Sequence, residues 1–178
     1  MKKIEHKIIF AVCIGFIVSC LYFIMPFDAV DIIDAEVNPN NGDIAIAYSL
    51  PTPSHVTKVV LFDKYGENLF EKSYATSEVT KLCFKEDTLA VYVGKITFEM
   101  YFYDRNGMEA PPNMKEEELK KIYLFDGWSH AFFQNTYYYE NAGFKYRYED
   151  PTIFRRGAKL ISIVEDEEIV IYQYPISK

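Results

Sequence analysis

Cysteine and histidine are scarce in this chain, with three of each among 178 residues. Cys13 and Cys20 fall in an apolar run and Cys83 stands alone beyond it, so no disulfide can close within residues 28–178. The fold must therefore be held by its core. His6, His55 and His130 do not cluster, and no H-x-x-x-H, C-x-x-C or EF-hand spacing occurs, which excludes the metal sites built on those patterns. Gly94-Lys95 lacks the glycines of a phosphate-binding loop, and there is no G-x-S-x-G elbow, so no cofactor is implied. Positive charge is also short. Residues 28–178 hold 25 acidic and 16 basic side chains, a balance that repels phosphate backbones and argues against a nucleic-acid partner.

Charge is missing altogether from Ile8 to Met25, where Ser19 and Tyr22 are the only hydroxyls. A membrane-spanning helix needs about 20 apolar residues, and residues 8–27 supply that length. Lys2, Lys3 and Lys7 precede the run, while Asp28, Asp31, Asp34 and Glu36 follow it. Positive flanks stay cytoplasmic. The expected topology is a cytoplasmic stub at 1–7, an uncleaved signal-anchor at 8–27 and an extracytoplasmic domain at 28–178, placed in the cell membrane as a single-pass protein. No convincing small-x-small site follows the run, which sets a removable signal peptide aside. Ile17-Val18-Ser19-Cys20 resembles the lipobox of bacterial lipoproteins, which implies acylation at Cys20 as an alternative anchor.

The 151 residues beyond the run suit one domain, and their pattern is mainly β. Ile44–Tyr48, Val56–Phe62, Thr88–Val93, Ile96–Tyr103 and Ile169–Tyr174 are rich in β-branched and aromatic residues. Turn chemistry separates them at Pro39–Asp43, Asp63–Gly66 and Asp104–Gly107, so an antiparallel meander is expected. Two segments recur. Leu61–Glu67 matches Phe102–Met108, and Asp43–Tyr48 matches Asp87–Tyr92, with a third copy at Asp166–Tyr172. A repeat near 40–45 residues is that of a four-stranded propeller blade. Residues 38 to about 108 accordingly resemble β-propeller-type blades, the first grouping Ile44–Tyr48, Lys58–Phe62, Asn68–Tyr74 and Lys81–Phe84. The resemblance implies blade-like sheets in an open or incomplete propeller; an ordinary sandwich satisfies the same turns.

One short helix is expected at 114–123, with Asn113 as N-cap, Glu116 at the capping-box position, and Leu119, Ile122 and Tyr123 as an apolar stripe. An aromatic-dense stretch follows. Phe144, Tyr146 and Tyr148 alternate with Lys145 and Arg147, as in a strand with one aromatic and one basic face. Most of these rings suit a core, but exposed Tyr and Trp also make contact surfaces. Trp128, Tyr137, Tyr139 and Tyr146 are the binding candidates, for a protein, peptide or glycan. Asp126, Ser129 and His130 lie within five residues and raise the alternative of an anchored hydrolase, although triads are assembled from separate elements. The Glu165–Glu168 acidic run reads as a solvated hairpin tip. Taken together, the sequence describes a membrane-anchored extracytoplasmic β domain that binds or scaffolds, with the bilayer itself as one partner.

Overall fold

A computed structural model describes residues 32–50, 56–75, 80–94, 99–131, 136–149 and 158–173. The expected span at 8–27, Cys20, His55 and the beginning of the strand expected at Ile96–Tyr103 lie outside these residues. Among the described residues, no helix is long and apolar enough to cross a membrane.

Twelve strands form among the described residues. They are β1 Ile32–Val37, β2 Ile44–Ser49, β3 Thr57–Phe62, β4 Asn68–Tyr74, β5 Thr80–Lys85, β6 Thr88–Val93, β7 Glu99–Tyr103, β8 Ser129–Ala131, β9 Thr136–Asn141, β10 Phe144–Glu149, β11 Lys159–Val164 and β12 Glu167–Gln173. They make three antiparallel sheets, ordered β1-β2-β3-β4, β5-β6-β7 and β12-β11-β10-β9-β8. The expected β class and meander are found.

The first sheet is the middle layer, because its strands are apolar on both faces. Ile44, Ile46 and Tyr48 of β2, with Val60 and Phe62 of β3, face the third sheet and meet Tyr139, Tyr146, Tyr148, Leu160 and Ile171. The alternate residues Ala45, Ala47, Val59 and Leu61 face the second sheet and meet Leu82, Leu89, Val91 and Tyr103. Small alanines on that side leave room for the larger side chains opposite. The far face of the second sheet, Cys83, Ala90, Tyr92 and Phe102, is covered by Leu119. Each fully buried Leu, Ile or Val contributes roughly 1.5–3 kcal/mol. Exposed ion pairs such as Lys85–Glu118 contribute about 0–1 kcal/mol, so the layers are held by their apolar faces.

Both repeats noted in the sequence fall on equivalent strands. Asp43–Tyr48 and Asp87–Tyr92 contain β2 and β6, the second strands of their sheets, and the Asp-x-x-Gly turns follow β3 and β7, the third strands. The turns share one hydrogen-bond pattern. Asp63 Oδ1 accepts from Tyr65 N and Glu67 N at 2.9 and 2.8 Å, and Asp104 Oδ1 accepts from Asn106 N and Met108 N, both at 2.9 Å. The first unit nevertheless starts one strand earlier than the sequence suggested. β1 joins the first sheet, and the segment Lys81–Phe84 belongs to β5, which opens the second. In the second sheet the fourth strand is reduced to a single bridge, Tyr103 to Glu109. Pro111 and Pro112 follow and lack the N–H groups a ladder needs.

The helix is a second correction. Only α1, Glu116–Leu119, forms; Lys115 occupies the N-cap position and no side chain caps the helix. Asn113 is engaged elsewhere, its Nδ2 donating to the Lys85 carbonyl at 2.9 Å. Leu119 is buried as expected, but the chain leaves the helix before Tyr123, which is 79% exposed.

The acidic run forms the β11–β12 hairpin tip, with Glu165 and Asp166 both at positive φ, 53° and 65°. Gly66 and Gly107 occupy the same turn position at φ 90° and 75°, yet their surroundings differ. A Cβ on Gly66 would meet Ile171 Cα at 3.4 Å, whereas one on Gly107 would meet Phe70 Cβ and Cγ at 2.8 Å. Gly66→Ala should therefore cost about 1 kcal/mol from backbone strain alone. Gly107→Ala should cost about 2–4 kcal/mol, because overpacking adds to the strain. Urea unfolding followed by tryptophan fluorescence measures both, and equal losses would show that the Phe70 contact is relieved freely.

Candidate functional site

The four candidate rings do come together, but not all at the surface. β9 pairs with β10 so that Tyr139 faces Tyr146 and Tyr137 faces Tyr148. Trp128 lies 5.6 Å from Tyr139, and Tyr139 lies 6.4 Å from Tyr146 between ring centroids. Tyr139 and Tyr146 are core residues at 6% and 1% exposure. The Tyr146 hydroxyl donates to the Gly42 carbonyl, tying the third sheet to the β1–β2 turn. Strand alternation turns these rings inward, toward the apolar face of the first sheet.

Trp128 and Tyr137 are half-buried and form the margin of this ladder. The Trp128 indole Nε1 donates to the Ala35 carbonyl at 3.0 Å, closing the free edge of β1. Phe125 completes the margin. It stacks on Tyr137 at 4.6 Å and on Tyr148 at 5.8 Å, and meets Trp128 edge-on at 6.1 Å. His130 stacks on the other side of Tyr137 at 4.3 Å. The Tyr137 ring is thus covered by Phe125 on one side and His130 on the other, and Trp128 and Tyr137 pack against the core while staying half-buried.

Serine and histidine in this region do not form a catalytic pair. Ser129 and His130 are successive residues of β8, so their side chains project to opposite faces of the sheet. Ser129 Oγ donates to the Tyr138 carbonyl at 3.2 Å. Cys83 is buried, and burial pushes its thiol up to about 12, far from a reactive thiolate at neutral pH. No group of three or more metal-binding side chains occurs among the described residues.

Carboxylates border the aromatic margin. Asp34 Oδ1 accepts from Phe125 N at 2.7 Å and from Ala35 N at 3.0 Å, and Oδ2 accepts from Leu82 N at 2.8 Å. Burial pushes this carboxyl up to about 6 even though those three N–H groups and Lys81 favour its charged form. Half-buried Glu36, two residues on along β1, is pushed up to about 8 by burial and by the charges of Asp34 and Asp126. Leu82 and Phe125, which bind Asp34, and Asp126, which acts on Glu36, come from distant segments that nothing in the local sequence marks.

A concavity lies at the turn end of the first and second sheets. It is an open polar groove of about 520 Å³, lined by Asn40, Asn41, Asp87, Thr88, Asp104, Arg105 and Asn106. Arg105 bridges it, with Nε donating to Asp43 Oδ2 at 2.6 Å and Nη2 to Oδ1 at 3.1 Å. The Asn-Gly and Asp-x-x-Gly turn signals were visible in the sequence; their convergence was not. Comparison with known proteins adds no family: no family model, curated protein or solved structure matches the chain.

Both carboxyls are more readily protonated in the folded state than in the unfolded chain. Their contribution to stability is therefore complete below the unfolded values and lost as pH rises through the folded ones. For Asp34 the window runs from 3.8 to about 6, and for Glu36 from 4.5 to about 8. Within its window each group removes up to about 1.4 kcal/mol per pH unit. Glu36→Gln should flatten the decline between pH 6 and 8 while leaving the lower limb due to Asp34, as read from urea midpoints across pH.

Proposed function

We propose that this chain is a single-pass membrane protein whose extracytoplasmic β domain is a binding or scaffolding module. Residues 1–7 are cytoplasmic, residues 8–27 span the bilayer and residues 28–178 lie outside. The observation that carries this reading is the uncharged run itself, with lysines before it and acidic residues after it. The domain starts almost at once, since β1 begins at Ile32. Uncleaved spanning is preferred to acylation at Cys20 because the apolar run continues through Leu21–Met25 beyond the cysteine.

The finer architecture is an open stack of blade-like sheets. Support comes from the four-stranded meander of the first sheet, the matching turns after β3 and β7, and the packing of the third sheet against the first. Binding is assigned to the half-exposed margin of Trp128 and Tyr137, with Phe125 and His130 beside them. A peptide, protein surface or glycan with a planar or cationic group is the matching ligand class. Opposed Ser129 and His130 side chains favour binding over hydrolysis.

Alkaline carbonate extraction should leave the full chain in the membrane pellet. Cys20→Ala should be retained equally well, with a mass change due to the substitution alone. Loss of an acyl mass in that variant would replace the span with a lipid anchor. In ligand screens read by the fluorescence of Trp128, the chain's one tryptophan, Tyr137→Ser should weaken any ligand of the margin about tenfold, or about 1.4 kcal/mol. A ligand unaffected by that change would sit elsewhere, as in the polar groove.

A further inference from the structure

Two large apolar side chains stand side by side in solvent, which the rest of the described surface does not repeat. Tyr123 is 79% exposed and Leu124 is 42% exposed. Tyr65 and Met108 in turns and Tyr138 and Val170 on strands are also exposed, but none of these is adjacent in sequence to another. Single exposed apolar residues are ordinary on protein surfaces, and an adjacent pair is less so. Lys120 and Lys121 precede the pair and Asp126 follows it, all three exposed, and Lys120 is paired with Glu116.

The position of this pair in the fold is fixed on both sides. The Ile122 carbonyl accepts from Lys81 Nζ at 2.9 Å, and Lys81 is the second residue of β5. Phe125 N donates to Asp34 Oδ1 at 2.7 Å, and Asp34 is the third residue of β1. Tyr123 and Leu124 are therefore held at the end of the domain where β1 and β5 begin. Tyr65 and Met108 belong to turns that follow β3 and β7 at the opposite end.

Chain length sets which end meets the bilayer. Phe27 closes the apolar run and Ile32 opens β1. The four residues between them, five Cα–Cα steps, reach at most about 18 Å when fully extended, and the headgroup layer takes up roughly 5–8 Å of that. The β1–β5 end is thus confined close to the membrane surface. Tyrosine is favoured at the headgroup level, an adjacent leucine can enter the acyl boundary, and nearby lysines attract anionic headgroups.

From this placement we propose that Tyr123 and Leu124, with Lys121, form a second and shallow contact between the domain and an anionic phospholipid bilayer. The contact rests on the membrane-anchor reading above and deepens it. It seats the domain in a fixed orientation, with the Asp-x-x-Gly turns and the polar groove directed away from the lipid. Anchoring of the loop by Asp34 and by Phe125 stacking keeps the pair in place before contact, which lowers the ordering cost of docking.

The test places the full chain in phosphatidylcholine vesicles with about one quarter phosphatidylglycerol, a proportion that gives an anionic surface. Part of the lipid carries bromine on the upper acyl carbons, which quenches tryptophan at that depth. Tyr123→Trp and Leu124→Trp are compared with Tyr65→Trp on the distal turn, each after subtraction of wild-type emission from Trp128. At least one of the two loop probes should be quenched at least about twofold more than the probe at position 65, with a blue-shifted emission, as expected for an interfacial ring. If both loop probes are quenched no more than the distal probe while the protein resists carbonate extraction, the contact is overturned and the anchor stands. Release of the wild-type chain by carbonate would instead overturn the anchor reading and the contact with it.

Discussion

The carboxylate of Asp34 is the point at which the parts of this domain are joined. Its two oxygens accept N–H groups from β1 itself, from Leu82 in the second sheet and from Phe125 in the loop that leads to the third. Those donors lie 1, 48 and 91 residues away in sequence. A buried N–H left without an acceptor costs about 1–3 kcal/mol, so the side chain satisfies three backbone groups from separate segments at once. The opposing cost is burial of a charge, which the raised Asp34 pKa expresses directly. Apolar faces make the sheets stack, and this one acid helps set how the second sheet and the connecting loop sit on the first.

The same region shows how an edge strand is protected. β1 is the outer strand of its sheet, and its unpaired backbone groups would offer a pairing site to another chain. The Ala35 carbonyl is taken by the Trp128 indole, and Phe125 approaches Asp34 immediately beside it. Phe125 adopts a φ of 56°, uncommon for an aromatic residue, and its stacking against Tyr137 and Tyr148 accompanies that strain. The aromatic margin therefore has a structural role at β1, carried most directly by Trp128.

Much of the strand pattern was legible in the sequence, because β-branched runs and Asn-Gly or Asp-x-x-Gly turns are local signals. Ile44–Ser49, Thr57–Phe62 and Thr88–Val93 lie close to their expected limits. The alternation at Phe144–Tyr148 correctly separated an inward aromatic face from Lys145 and Arg147. What escaped depended on distant partners. β1 looked like an acidic juxtamembrane segment, since Asp34 and Glu36 hide the buried alternation of Ala35 and Val37. Asn113 had the residue type of a helix cap and was recruited by the Lys85 carbonyl instead. Tyr137 and Tyr139 share one face of β9, and only their position along the strand, with Tyr139 beneath Trp128 and Tyr137 at the margin beside His130, separates the buried ring from the half-buried one.

Charge along the strand axis gives the proposed orientation a further physical reason. The hairpin turns at one end carry Asp63, Glu67, Glu86, Asp87, Asp104, Glu165 and Asp166, against Lys64, Lys85 and Arg105. At the other end, Lys58, Lys81 and Lys159 lie in the first two residues of β3, β5 and β11, and Asp34, Glu71, Glu99, Asp126 and Glu149 balance them. The turn end is thus the more acidic of the two, and an anionic surface repels it more strongly. Screening confines that preference to about 8–10 Å at physiological salt, the range within which a four-residue link would hold the domain. A tether of that length restricts position but leaves rotation about the link free. In the proposed orientation, the acidity of the turn end and the Tyr123–Leu124 pair would act on the rotation that remains, and the polar groove would face outward because the chain enters the domain at β1.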